Sequence, residues 1–180
     1  MDPESPLAPP VVAVVVVHDP GPWFAETLDA LRGQDYPNLR HLFIVAVDDA
    51  DGMRSGDTSL SDIELAIQAH VPGAYVRALG ANPGFAAAAN EVLRLVEGDN
   101  GMFLIAHDDV APEPDALRAM VEELYRSNAG AVGPKFVEWD APNVLQTVGL
   151  GMDRFGEIDS VVEPGEVDQE QHDAVRDVFV

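Results

Sequence analysis

The chain of 180 residues contains short apolar runs that alternate with stretches of helical periodicity. The clearest run, residues 11–17, consists of valines interrupted by one alanine. A continuous β-branched run is typical of a strand buried on both faces of a parallel sheet. Residues 42–47 and 102–106 form similarly short apolar runs, and residues 75–79 form a shorter run interrupted by Arg77. The four runs therefore predict four strands of one sheet, of which the first, second and fourth are expected to be buried.

Helical patterns separate these strands. They lie between Pro22 and Gly33, over residues 61–70 with Ser59 or Ser61 as the cap, over residues 86–96, and over residues 115–127. Strand and helix alternate at the spacing of βαβ units, which predicts an α/β fold with a mostly parallel central sheet flanked by helices. From residue 136 to residue 158 the pattern changes to short β-like pieces, which predict an irregular β-containing C-terminal segment.

Composition excludes several classes of function. The net charge is −22, with 10 Lys and Arg residues against 32 Asp and Glu residues. Non-specific nucleic-acid binding and direct binding to an anionic bilayer both need clustered basic residues, so neither class fits. The chain has no cysteine, which excludes disulfides, thiolate metal ligands and cysteine nucleophiles. The longest apolar run, residues 11–17, is far shorter than the roughly 20 residues of a membrane span.

Paired acids follow the fourth predicted strand, at Asp108 and Asp109. In open α/β sheets, ligands bind outside the carboxyl ends of the strands. Two carboxylates at that edge suit a hard divalent cation, which in turn can hold phosphates. Adjacent aspartates also cap helices and fill turns. From these residues alone, two interpretations stay open: a cation site at this strand end, or a pair of capping or turn residues.

Other polar residues fall near predicted strand ends. Asp48 can accept hydrogen bonds from a pyrimidine N–H or a ribose hydroxyl, or serve as a helix cap. Gly84 permits a positive φ or a close approach of backbone to a ligand. Asn82 and Asn90 are equally suited to turns and caps. Phe85 is more typical of a core residue than of a stacking platform for a ligand.

Motifs at fixed intervals carry a resemblance to a known family. The chain contains, in order, VVVVHDP at 14–20, QDYP at 34–37, IVAVDDADG at 44–52, NPGFAAAAN at 82–90, AHDDV at 106–110 and GPK at 133–135. Each motif is weak alone. Together they resemble the inverting family-2 glycosyltransferases over residues 11 to about 156. That resemblance implies the GT-A nucleotide-sugar-binding fold.

The resemblance implies a nucleotide-diphosphate sugar donor, Mn²⁺ or Mg²⁺, and inverting transfer to a glycan or lipid-linked acceptor, as in cell-envelope polysaccharide synthesis. Asp109 and His107 take the place of the family's metal motif. His107 departs from it, because the family has a carboxylate there; a neutral ring nitrogen suits Mn²⁺ better than Mg²⁺. The residues expected to bind the donor are His18, Asp19, Asp48, Asn82, Gly84, Asn90 and Asp108. His18 replaces the usual tyrosine or threonine, which leaves recognition of the nucleotide base open.

The resemblance also divides the chain. Residues 1–10 are expected to be a flexible lead-in, residues 11–136 the donor-binding core, and residues 137–180 the start of the acceptor side, with an acidic loop and an incomplete strand. No segment matches the family's catalytic-base motif, so the catalytic residue is unassigned and expected beyond Val180. A chain of this extent is expected to be inactive in transfer alone. The family implies a cytoplasmic location, at the membrane face through regions not present here.

Two other functions stay open. A GT-A-fold domain can be a non-catalytic scaffold or binding surface, since fold does not imply function. A nucleotidyltransferase of related architecture is the second alternative. Those enzymes normally carry a glycine-rich loop with a Lys or Arg after the first strand. Residues 18–21 follow the first strand here and contain no Lys or Arg.

Overall fold

A computed structural model describes residues 8–46, 59–97 and 101–173. Contacts divide the chain into two compact units, Met1–Arg118 and Ala119–Val180. The helices and strands are β1 Val11–Val17, α1 Phe24–Arg32, β2 Leu39–Ala46, α2 Leu60–His70, β3 Tyr75–Leu79, α3 Phe85–Ala89, α4 Val92–Leu95, β4 Met102–His107, α5 Ala116–Ser127, β5 Phe136–Val137, β6 Leu145–Thr147, β7 Leu150–Met152 and β8 Ile158–Ser160.

The first unit is built on a parallel sheet with the strand order β3-β2-β1-β4. Val11 of β1 pairs with Leu39 of β2 on one side and with Met102 of β4 on the other. The predicted α/β class, the parallel sheet and its four strands are confirmed. The predicted burial of the fourth strand is wrong, because Phe103 and Ile105 on one face of β4 are exposed. The second strand begins earlier than predicted, at Leu39, and residue 47 lies outside the described residues.

Both faces of β1 are covered, which explains its unbroken apolar character. On one face, Val15 and Val17 belong to a core that includes Leu28 of α1 and Ile67 of α2. On the other face, Val14 and Val16 share a core with Ala88, Ala89 and Val92 of α3 and α4. The central strand therefore holds helices on both sides, and its carboxyl end is fixed by both cores.

The ends of α1 and α2 follow from local chemistry. Ser59 accepts a hydrogen bond from the Asp62 backbone N–H, and the Asp62 carboxylate accepts one from the Ser59 backbone N–H. This reciprocal capping box selects Ser59 rather than Ser61 as the cap. Gly33 ends α1 as predicted. None of the helices in the described ranges is long and apolar enough to cross a membrane.

The continuous helix predicted over residues 86–96 is wrong. The structure has two short helices, α3 and α4, separated at Asn90. Around this break the hydrogen bonds tighten to i→i+3 spacing, from Glu91 N–H to the Ala88 carbonyl and from Leu93 N–H to the Asn90 carbonyl. Asparagine is a weak helix former, whereas the alanines before it favour a helix. Propensity summed over the alanine run therefore overstated the length of the helix.

The second unit contains the predicted short β pieces. They form two antiparallel pairs, β5 with β6 and β7 with β8. Lys135 lies between Asp168 and Asp173, with its Nζ at 2.7 and 2.6 Å from their carboxylate oxygens. The division between the two units falls inside α5. The predicted boundary at residue 136, between the donor-binding core and the acceptor side, stays a prediction.

The stability of the first unit should depend on the protonation of His41 in β2. Burial lowers the pKa of His41 from 6.5, although a hydrogen bond to the Leu31 carbonyl, 3.1 Å from Nε2, partly counteracts burial. A histidine whose pKa is lowered by folding binds protons more readily when unfolded. Its contribution is complete above the unfolded pKa and is lost as the pH falls through 6.5 toward the folded value.

We therefore expect His41→Gln, which keeps a side-chain donor for the Leu31 carbonyl but does not titrate, to lose less stability on acidification than the unmodified chain. Urea unfolding at about pH 8 and about pH 5.5 measures the difference. The same loss of unfolding free energy in both proteins would contradict the prediction.

Candidate functional site

Most of the predicted site residues lie at one edge of the sheet. His18 follows β1, Asn82 and Gly84 lie between β3 and α3, and Asp108 and Asp109 follow β4. The four strands are parallel, so their carboxyl ends meet at the same edge. Asp48 was predicted to join this group from the end of β2, but it lies outside the described residues.

His18 connects three strand ends through its backbone and its ring. Its backbone N–H donates to Asp108 Oδ2 at 2.9 Å. Its Nδ1 is 3.2 Å from the carbonyl oxygen of Ala46, the last residue of β2. A carbonyl oxygen only accepts hydrogen bonds, so Nδ1 carries the proton. The ends of β1, β2 and β4 are thereby joined by one residue.

The other ring nitrogen of His18 reaches the loop after β3. Asn82 Nδ2 lies 3.1 Å from His18 Nε2 and donates to it, because an amide nitrogen has no acceptor capacity. Asn82 Oδ1 in turn accepts the Gly84 backbone N–H at 2.9 Å. The two contacts agree on the orientation of the amide group. The ring contacts of His18 fit the tautomer with its proton on Nδ1, and all four strand ends belong to one hydrogen-bonded network.

The backbone conformation at residue 84, rather than crowding by neighbouring atoms, is what requires a glycine there. Its φ is +86°, and a Cβ added there would meet no atom of a described residue within 4 Å. An L side chain at this φ is strained, whereas glycine adopts it readily. The positive φ turns the chain from the Asn82 loop into α3, so the expectation that Gly84 takes a positive φ is confirmed. No described residue fills the space beside it, and on that evidence its backbone is accessible to a ligand.

Asp108 and Asp109 have different environments although they are adjacent. Asp108 is 9 % exposed and uses Oδ2 to accept the His18 N–H. Burial raises the pKa of the Asp108 carboxyl, and the hydrogen bond from the His18 backbone opposes that shift. Asp109 is exposed, and its carboxylate makes no hydrogen bond or ion pair with any residue that the structure describes. Asp108 thus links the ends of β1 and β4, while Asp109 is available to a ligand. The predicted role of Asp108 in donor binding stays a prediction.

His107, at the end of β4, is stacked on Phe85 at the start of α3. The ring centroids are 3.9 Å apart and the rings are 8° from parallel. Phe85 is 36 % exposed, so the interpretation of Phe85 as a core residue is wrong. The proline–glycine turn before Phe85 carries it to the sheet edge, where His107 covers one face of its ring.

The sequence matches the model of glycosyl transferase family 2 over residues 12–173. The chain belongs to glycosyl transferase family 2. Eleven chains of solved structures also match, among them the crystal structure of S. aureus TarS, with 16% identity and a TM-score of 0.49. That match covers 66% of this chain and 20% of the TarS chain, so the matched part of this chain spans about a fifth of the length of TarS. Comparison with curated proteins gives no match.

Within this family 2 domain, the described residues suit a cation that is held jointly with a phosphate ligand. No cluster of three or more metal-ligating side chains occurs among the described residues. Asp109 and the ring of His107 would be the protein ligands. Sites for Mg²⁺ and similar ions commonly use one or two protein ligands, with substrate phosphates and water completing the shell. These two ligands therefore suit a cation that binds together with a nucleotide diphosphate. They are too few to bind the cation tightly without it.

The remaining two predicted residues of the family 2 domain are placed differently. Asp19 directly follows His18 and has a φ of +52°, which is uncommon for a residue other than glycine. It therefore lies at the same strand end as the network. Asn90 lies at the far end of α3, and its side chain makes no hydrogen bond within the described ranges. Its predicted role in donor binding stays a prediction.

Two partners in the site were missed by sequence reasoning. The Ala46 carbonyl binds the His18 ring, and Phe85 covers His107. A contact made by a backbone carbonyl cannot be predicted from residue identity. The position of Phe85 could have been predicted, because Phe85 immediately follows the glycine of NPGF and therefore begins the helix at the sheet edge.

Proposed function

We propose that this family 2 domain binds a nucleotide-diphosphate sugar with a divalent cation at the carboxyl ends of β1–β4. The sugar is then transferred, with inversion, to a glycan or lipid-linked acceptor of the cell-envelope type. Membership of the family supports glycosyl transfer as the class of reaction. The donor, the cation, the inversion and the acceptor are proposals that extend this membership, as is a cytoplasmic location.

The observation that carries the proposal is the network around His18. It joins the ends of β1, β2, β3 and β4 through three side chains, Asp108, Asn82 and His18 itself. Such cross-linking fixes loops that would otherwise move independently, and a fixed constellation binds a ligand with less loss of conformational entropy. Among the described residues none lies within 4 Å of a Cβ built at Gly84, which supports backbone access for a ligand at this edge.

In this proposal the described residues have two different roles, holding the cation and positioning the loops. Asp109 and His107 would hold the cation, which would offset the negative charge that builds up on the departing diphosphate. Asp108 and Asn82 position the loops from which these groups extend. Inverting transfer also needs a base that removes the proton of the acceptor hydroxyl. We assign no residue to that role.

Ligand-induced stabilisation tests the proposal directly. UDP, GDP, ADP and CTP are added to the purified chain with Mn²⁺, with Mg²⁺ or with EDTA, and the melting temperature is measured. A ligand that binds only the native state at roughly 100 times its Kd stabilises that state by about 2.7 kcal/mol. For a domain of this size that is a rise of several degrees.

The expected result is a rise with a nucleoside diphosphate that requires the divalent ion. A rise with the triphosphate alone would favour the nucleotidyltransferase alternative. No rise with any nucleotide would contradict the proposal and favour a non-catalytic scaffold. Where a diphosphate binds, hydrolysis or transfer of the matching nucleotide sugar is the next assay.

A further inference from the structure

The stack of Phe85 on His107 restricts where the histidine can place its nitrogens. Both nitrogens of an imidazole direct their lone pairs or protons within the plane of the ring. With the two rings 3.9 Å apart and 8° from parallel, Phe85 closes one face and sets the direction of that plane. Neither ring nitrogen of His107 makes a hydrogen bond to a described residue. Within the described part of the chain, stacking on Phe85 is therefore what orients the ring, and the ring edge is open to a ligand.

The stack also favours one electronic state of the imidazole. The face of a phenylalanine ring is electron-rich and attracts positive charge placed over it. A neutral imidazole gains little from near-parallel stacking at this distance, because two electron-rich faces prefer an offset or an edge-to-face arrangement. An imidazole that has donated its lone pair to a cation is electron-poor and gains more. Phe85 would therefore stabilise a cation-bound form of His107 over the free form.

Phe85 is itself held in place by the same network that organises the site. It immediately follows Gly84, whose backbone N–H is bound by Asn82, and Asn82 is bound to His18. The carbonyl of Gly84 accepts the Ala88 N–H and so starts the helix that carries Phe85. The turn after β3 thus controls the orientation of a side chain at the end of β4.

We infer that Phe85 is a positioning residue that holds His107 as a cation ligand, and that the pair makes the site prefer Mn²⁺ to Mg²⁺. This inference rests on the proposed function. Mg²⁺ is bound almost entirely by oxygen, whereas an imidazole nitrogen suits transition-metal ions. A ring that is oriented in advance adds to Mn²⁺ affinity without adding comparably to Mg²⁺ affinity.

The test measures the affinity of the chain for UDP and for GDP by calorimetry, in Mn²⁺ and in Mg²⁺, and takes the ratio of the two affinities. Phe85→Leu removes the ring but keeps apolar volume, and Phe85→Tyr keeps the ring. Phe103→Leu makes the same phenylalanine-to-leucine change on β4, at another exposed position. Loss of a partner that orients a metal ligand typically lowers metal affinity by roughly 10–100-fold. We expect the Mn²⁺/Mg²⁺ ratio to fall by about tenfold in Phe85→Leu and to stay unchanged in Phe85→Tyr and Phe103→Leu.

A double-mutant cycle separates positioning from a general structural effect. His107→Asp replaces the imidazole by a carboxylate, so Phe85 has no ring left to orient. In that background Phe85→Leu should leave the ratio unchanged. An unchanged ratio in the single Phe85→Leu variant, or an equal fall in the His107→Asp background, would overturn the inference while leaving the proposed function intact. If the unmodified chain binds neither nucleotide with either ion, the proposed function fails and the inference fails with it.

Discussion

Asp109→Ala should abolish the Mn²⁺-dependent binding of a nucleoside diphosphate, with a loss of affinity of at least about 100-fold, or about 2.7 kcal/mol. The carboxylate of Asp109 is exposed and makes no hydrogen bond or ion pair with any described residue, so its removal costs the fold little. A cation held by one or two protein ligands and a diphosphate loses its strongest protein ligand with Asp109. His107→Ala should weaken binding less, because a neutral imidazole contributes no charge.

The measurement is calorimetric titration of the diphosphate in the presence of Mn²⁺, with Asp29→Ala as the matched control. Asp29 lies on α1 and is paired with His70 at 2.8 Å, so its replacement removes one exposed carboxylate outside the site. We expect Asp29→Ala to bind as the unmodified chain does. Equal Mn²⁺ affinity in Asp109→Ala and in the unmodified chain would show that Asp109 is not a metal ligand.

The sheet could be predicted because its two central strands, β1 and β2, are short apolar runs that the two cores cover on both faces, although one face of β4 is exposed at Phe103 and Ile105. Val11–Val17 has the same bounds in the structure as in the sequence pattern, since a run of valines between polar residues has few other uses. The helix over residues 86–96 could not be predicted correctly, because its end depends on Asn90 rather than on the alanines before it. Average propensity is informative over a long window and misses a single residue that ends a helix.

The location of the site could be predicted, but its internal contacts could not. The rule that ligands bind at the carboxyl ends of parallel strands placed His18, Asn82 and Asp108 at one edge, and the hydrogen bonds confirm that they lie together. That both ring nitrogens of His18 are engaged depends on the distance between loops that are remote in sequence. The exposure of Phe85 likewise depends on the turn at Gly84. Sequence patterns therefore predict where the strands end, but they do not predict which side chains pair between those ends.

Gln34→Glu should destabilise the first unit by about 3 kcal/mol, because a buried donor is replaced by an acceptor. Gln34 is 9 % exposed and links the end of α1 to the segment that follows Asp109. Its Nε2 lies 3.1, 3.2 and 2.8 Å from the carbonyl oxygens of Ala30, Pro112 and Glu113. Its Oε1 accepts the Leu117 backbone N–H at 3.0 Å. A glutamate keeps only that last bond and turns a negative oxygen toward three carbonyls.

Urea unfolding at neutral pH measures the loss, and Gln68→Glu is the control. Gln68 is exposed and, among the described residues, makes a single side-chain hydrogen bond, from Nε2 to the Ala74 carbonyl at 3.0 Å, so the same chemical change there should cost less than about 1 kcal/mol. The loss in Gln34→Glu should also shrink at about pH 4, since a protonated carboxyl regains one donor for the carbonyl cluster. If both variants lose equal stability, the Gln34 hydrogen bonds do not hold the segment after Asp109. If they do hold it, the turn motif at residues 34–37 fixes the chain that leaves the proposed cation ligand, and so contributes to the site without contacting a ligand itself.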